Sequence, residues 1–214
     1  MKTLSLRFIL VIVGMVGSMG LAQASSAALS KAHRYCDDIT QIDKLLDRTR
    51  EAPERFTAEK LKVERIVVSK DRRQLYLISD GVLMRTYTVA FGDYLGHKQF
   101  EGDWRTPEGL YSISAKNPKS QFNKALKISY PNADDIAYAK SKGRSPGGQI
   151  MIHGFPVDPI KKLGVMAIHP VDWTLGCIAV TDEEIEEIYQ LVQERTLIEI
   201  CKVSVFTYKN QPLP

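Results

Sequence analysis

The chain has no long run of like charge, no internal repeat and no low-complexity tract, which excludes charged interaction tails and solenoid arrays. Neither H-E-x-x-H nor C-x-x-C occurs, so the commonest zinc-ligand spacings are missing. Charge of one sign is also in short supply: 29 Lys and Arg face 25 Asp and Glu, leaving a formal net charge of only +4. The basic residues are scattered rather than gathered into a stripe, and nothing in them argues for nucleic acid. Cysteine is scarce, with three in 214 residues. What the chain does have is apolar residue, 44% of its length, enough to bury a core and to exclude a disordered or collagen-like polypeptide. The length fits one domain.

One apolar run lies at the start. Lys2 and Arg7 precede Phe8 to Ala22, 15 residues broken only by Gly and Ser, short of the ~20 that span a bilayer comfortably. Ala22-Gln23-Ala24 follows, the small-x-small pattern that a signal peptidase accepts. Residues 1–24 are therefore expected to be a signal peptide cleaved after Ala24, giving an exported protein with no stable membrane anchor. An uncleaved anchor is the alternative reading of the same run.

Beyond it, Ile39, Ile42, Leu45 and Leu46 fall at helical spacing between Asp37 and Arg50, and Pro53 ends that stretch. Residues 25–60 read as a helical lead-in. From Leu61 the pattern turns to short extended runs: Arg65–Ser69, Gln74–Ile78, the hairpin signal Asp80-Gly81 into Val82–Ala90, Gly109–Ala115, Gln149–His153 and Thr196–Val203. One helix is clearly signalled, Asp182–Arg195, with a Thr181/Glu184 capping box and Ile185, Ile188, Tyr189 and Val192 on one face. Strands outnumber helices, so the expected fold is mostly β, a sandwich or barrel with a few helices, over residues 61–203, with 204–214 as a C-terminal tail. Lys116–Gly148, rich in turn formers such as Asn117-Pro118 and Ser145-Pro146-Gly147-Gly148, reads as a long irregular connection, a surface insertion or a binding loop.

The chemistry concentrates between Ile150 and Val180. An apolar run delivers His153 to its end, and Gly154 lets the backbone turn at once. A second apolar run, Ile178–Val180, begins just after Gly176-Cys177. A thiol beside Gly at a strand entrance, with its own amide and the preceding one free to donate, suits covalent catalysis. An imidazole takes the thiol proton, the thiolate attacks a carbonyl, and backbone amides hold the oxyanion. Each residue also has a plainer reading, Cys177 as a small core residue and His153 as a structural histidine. A third reading groups His153, His169, Asp172 and Cys177 around zinc, against the missing metal spacings.

Ile152-His153-Gly154 followed by Thr174-Leu175-Gly176-Cys177 resembles the catalytic domain of the L,D-transpeptidases, exported enzymes that act on bacterial peptidoglycan. The resemblance runs over roughly Leu61–Val203 and takes in the Asp80-Gly81 hairpin, the Thr106-Pro107-Glu108-Gly109 turn and the helix after the cysteine. It implies a mostly β fold, no cofactor and no metal. By the match Cys177 is a nucleophile that forms a thioester with a stem peptide, and His153 is its general base. The Gly154 carbonyl would orient the imidazole, the Gly176 and Cys177 amides would form the oxyanion hole, and Thr174 and Trp173 would stand beside the substrate.

Two positions depart from the family pattern: Leu175 replaces a His, and Ala179 replaces an Arg that could hold a carboxylate by a bidentate pair. With Asp172-Trp173-Thr174 and Ser129-Tyr130-Pro131-Asn132, these departures resemble a divergent branch that includes a periplasmic amidase releasing outer-membrane lipoprotein from peptidoglycan. The implied partners are diaminopimelate-containing stem peptides, including lipoprotein-linked ones, and the implied location is the periplasm. Hydrolysis is expected over cross-linking; a cross-linking transpeptidase and a decayed, non-catalytic binding module are the alternatives. Lys140, Lys142 and Arg144 are candidates for anion contacts in place of the missing Arg. Three cysteines in an oxidising compartment leave one unpaired, so with Cys177 kept free the expected disulfide joins Cys36 and Cys201.

Overall fold

The computed structural model describes residues 34–51, 62–92 and 96–202. The expected signal peptide, both ends of the lead-in and the tail from residue 204 lie outside the described residues. Among these, the chain forms one mostly β half-barrel sheet of eight strands with four helices. A 3-10 turn, Tyr35–Asp37, leads into α1 (Thr40–Glu51). The strands are β1 (Arg65–Ser69), β2 (Gln74–Ser79), β3 (Val82–Thr88), β4 (Gly109–Ser120), β5 (Asn123–Ile128), β6 (Met151–His153), β7 (Ile178–Ala179) and β8 (Leu197–Cys201). Helix α2 (Ala133–Ser141) follows β5, α3 (Pro159–Ile168) follows β6, and α4 (Asp182–Leu191) follows β7. The sheet order is β3-β2-β1-β8-β4-β5-β6-β7. No described helix is long and apolar enough to cross a membrane.

Side chains alternate across a strand, and here both faces are covered. Ile66 and Val68 of β1, Leu75 and Leu77 of β2 and Ile198 and Ile200 of β8 enter a core completed by Ile185, Ile188 and Leu191 of α4. Val67, Tyr76, Ile78 and Cys201 point the other way, onto Ile42 of α1. Double coverage is why these strands read as continuous apolar runs. Asp80 and Gly81 both have positive φ, 47° and 67°, as a two-residue type I′ hairpin turn requires.

The lead-in is stitched into the same fold. Ile42 is fully buried, and a disulfide joins Cys36 to Cys201 with their Cα atoms 5.0 Å apart. Next to it the buried carboxylate of Glu199 accepts the amides of Tyr35 (3.0 Å) and Cys36 (3.4 Å) and the Arg34 Nε–H (3.1 Å).

The structure corrects two readings and adds a helix. The irregular stretch expected from Lys116 is largely ordered: β4 continues to Ser120 and pairs with β5, and α2 follows under an Asn132/Asp135 capping box. Pro118 is tolerated because the ladder shifts register between Asn117 and Ser120, where no strand donor is required. The segment between His153 and Cys177 contains α3, capped by Asp158 with Pro159 at its first position. Finally, α4 stops at Leu191 rather than Arg195. Val192 is extended (ψ 133°) and the Arg195 amide donates to Ile113 O (2.7 Å), turning the chain into β8.

Candidate active site

β6 and β7 are parallel neighbours, with Ile152 opposite Ile178 and His153 opposite Ala179. Cys177 stands two residues before Ala179, the residue opposite His153, so the two candidate side chains lie diagonally across this short parallel ladder. His153 is buried (3% exposed), its ring 4.4 Å from Phe122 and 5.8 Å from the edge-on Trp173. Its Nδ1–H donates to Gly154 O at 2.7 Å. That bond assigns the tautomer and leaves Nε2 as the basic nitrogen. Burial pushes the imidazole pKa down to about 4, against a smaller upward pull from the Gly154 carbonyl. Only glycine fits at 154, since a Cβ there would lie 2.6 Å from Asp182 Oδ1 and 2.9 Å from Ile185 Cγ2.

Cys177 is the free cysteine, half-buried, with its thiol 3.5 Å from Gln149 O. Burial pushes its pKa up, opposed by the Met151 amide and the charge of Lys98. Thiol and imidazole are thus both held neutral at rest. The turn before Cys177 is built by Thr174, whose amide donates to Phe91 O (3.0 Å) and whose hydroxyl donates to Cys177 O (2.8 Å). Gly176 sits at φ +125°, where a Cβ would come 2.6 Å from Arg105 O.

The Gly176 amide is not free for an oxyanion: it donates to Thr174 Oγ1 at 3.1 Å. That corrects the two-amide oxyanion hole. Thr174 is likewise buried and committed to shaping the turn. Trp173 does line the site, and its Nε1 is buried with no hydrogen-bond partner among the described residues. His169 packs edge-on against Phe155. Asp172 accepts the Phe91 amide (2.8 Å) and pairs with Arg73. Among the described residues no three His, Cys, Asp or Glu side chains gather as metal ligands.

His153 and Cys177 open into one cavity of about 510 Å³, walled by Phe122, Pro156, Val165, Trp173 and Leu175, with Lys161 also in its lining. Sequence reasoning missed the α3 side of this wall; Asp158-Pro159, a helix-start signal, could have found it. Lys140, Lys142 and Arg144 are not among the lining residues. Lys142 lies over the Tyr138 ring and Arg144 over the Phe100 ring, so the anion contacts expected of them are not made here. Of the Lys116–Gly148 stretch only Phe122 reaches the cavity, because the rest pairs in the β4–β5 hairpin or lies in and beyond α2. Leu175 is 71% exposed, whereas Ala179 is fully buried and exchanges backbone hydrogen bonds with Ala90.

A model of the YkuD L,D-transpeptidase catalytic domain matches residues 63–200. The chain belongs to the L,D-transpeptidase catalytic-domain family. It is 34% identical over 113 residues to the L,D-transpeptidase-type protein YafK of Escherichia coli (strain K12), covering 51% of this chain and 37% of that one. Among solved structures it resembles Pgp2, the helical cell shape determining protein of Campylobacter jejuni, at 28% identity and a TM-score of 0.49, over 68% of this chain and 50% of Pgp2. An L,D-transpeptidase from Mycobacterium smegmatis aligns at 15% identity and a TM-score of 0.43, over 64% of this chain and 58% of that one. This L,D-transpeptidase domain therefore spans little over a third of the curated relative it matches.

Proposed function

We propose that the protein is a periplasmic enzyme that acts on peptidoglycan, with Cys177 as its nucleophile and His153 as its general base. The observation that carries this is the pair itself: one side chain on β6 and one in the turn that enters the parallel neighbour β7, both opening into one apolar cavity, with the imidazole pinned through Nδ1 to Gly154 O. On attack, Nε2 takes the thiol proton as sulfur bonds to the amide carbonyl carbon of a diaminopimelate-containing stem peptide. The Cys177 amide faces the developing oxyanion. Collapse breaks the C–N bond, and the imidazolium returns its proton to the departing amine, leaving a thioester. Water then attacks with its proton passing to His153, and C–S cleavage frees a carboxylic acid and the thiol. An amine in place of water would give a cross-link by the same steps. Hydrolysis of the amide to lipoprotein or a related amine is the favoured outcome, because Leu175 and Ala179 remove the side chains of the usual family pattern at both flanks of Gly176-Cys177.

Incubation with intact and with lipoprotein-linked sacculi, followed by mass spectrometry of the muropeptides, tests the reading. Free lipoprotein or trimmed stems are expected. New diaminopimelate–diaminopimelate cross-links without released product would assign a transpeptidase instead. A Cys177 that reacts with thiol probes no faster than a free cysteine, with no muropeptide product, would leave only a binding module.

A further inference from the structure

We infer that Lys161 is a specificity residue that binds a substrate carboxylate beside Cys177. The inference rests on the proposed acyl-transfer role of Cys177 and adds the group by which the substrate is held.

Among the described lining residues of the cavity, the polar side chains other than the catalytic pair are few. The Thr174 hydroxyl is committed to Gly176 N and Cys177 O. Lys161 is the one formally charged side chain left, and no carboxylate stands beside it in the lining. Its neighbour Lys162 is neutralised by Asp182 at 2.5 Å, whereas Lys161 makes no ion pair or side-chain hydrogen bond among the described residues. Nearby Lys98 is buried and spent on Asp103 (2.8 Å) and Phe100 O (2.9 Å). The position of Lys161 is also unfavourable for the fold. It lies in the first turn of α3, where its backbone amide is capped by Asp158 (2.9 Å) and the helix end repels cations. Helices α2 and α4 follow the usual rule, with Asp134 and Asp135 or Asp182, Glu183 and Glu184 in their first turns; α3 has no acidic residue there. A lysine that breaks a local rule at the mouth of a catalytic cavity is explained by a ligand. An ammonium on a flexible stem, backed by a helix N-terminus and apolar walls, matches a carboxylate.

A stem-peptide amide offers two such groups: the free carboxylate of the diaminopimelate on the acyl side, and the carboxylate of the departing residue on the amine side. The test uses the full-length protein and defined muropeptides, with acyl-enzyme formation followed by intact mass and steady-state kinetics by product release. Lys161→Ala is expected to raise KM about ten- to a hundredfold with kcat within about threefold, and Lys161→Arg to restore most of it. A muropeptide amidated at the relevant carboxylate should cost the parent enzyme that same factor and cost Lys161→Ala nothing more. Amidating the diaminopimelate or the leaving residue separately assigns the source. An unchanged KM in Lys161→Ala, with the acyl-enzyme still forming, overturns the inference and leaves the Cys177 reading intact. No acyl-enzyme on the parent protein overturns that reading, and the inference with it.

Discussion

Where β1 lies between β2 and β8, five residue pairs on each side hold it and apolar side chains are buried against both faces. Where β7 lies against β6 the ladder is two pairs long, and α3, which forms one wall of the cavity, buries none of its side chains. Ile160 and Leu163 on it are 84% and 72% exposed. The first region supplies a frame whose local opening costs a large share of the total stability; in the second Ile152, Ile178 and Val180 are buried, but α3 is not, and this helix can adjust around a substrate. Cys177 and His153 stand at the junction. Each is held by its local turn, through Gly154 and Thr174, and opens onto the cavity that α3 walls. Precision and access are thus divided between two parts of one sheet.

Breaking the pair at the junction should have the largest effect. Cys177→Ala and His153→Ala are each expected to lower turnover more than about a thousandfold, without adding when combined; Cys177→Ala should keep a near-parental melting temperature, which circular dichroism will check. On the framed side, Ile188→Ala on α4 should cost about 2–5 kcal/mol in denaturant unfolding, since that side chain is fully buried. Replacing Cys36 and Cys201 together by Ser should cost about 2–4 kcal/mol while kcat stays close to the parental value, because the disulfide ties the lead-in and not the cavity.

Acid should reach the junction through His153. Its folded pKa of about 4 lies below the ordinary 6.5, so between those values the unfolded chain binds a proton that the folded one refuses. Stability contributed by the neutral imidazole is therefore full above pH 6.5 and is lost as pH falls towards 4, by on the order of 3 kcal/mol. Urea titrations of parent and His153→Gln across that window should show a steeper fall in the parent, above the smaller slope that His169, whose pKa burial also lowers, gives both proteins. The acid limb of kcat/KM should lie near pH 4 rather than 6.5. The smallest effect sharpens the contrast from the other side: Ile160→Ser on α3 should shift stability by no more than about 0.5 kcal/mol.

Legibility in the sequence followed the same division. Elements specified by neighbours in the chain were readable: the Asp80-Gly81 hairpin, the Thr181/Glu184 cap and the short extended runs of β1 and β2 each carry their cause within a few residues. His153-Gly154 and Gly176-Cys177 could be singled out as candidates because each reactive side chain and its glycine are adjacent letters. The long arm of β4 was hidden by Pro118, whose tolerance depends on a register shift against β5. The cavity wall was hidden because Phe122, Lys161 and Trp173 come from three connections that only the tertiary fold brings together. Nor could the sequence reveal that Thr174 takes the Gly176 amide, since that depends on the shape of one turn.

The position of β8 has a consequence for biosynthesis. The last described strand sits in the interior of the sheet, parallel to β1 on one side and antiparallel to β4 on the other. A ribosome-bound chain that ends before Leu197 offers β1 no partner on that side and leaves β4 without its inner neighbour. Ordering of the sheet must therefore wait for residues 197–201, and contacts spanning more than 130 residues make that step slow relative to local structure. Until then only elements paired with near neighbours in the chain, such as the β2–β3 hairpin, can form. A truncation that removes β8 should yield a polypeptide that cannot close its sheet at all, rather than a smaller version of the same protein.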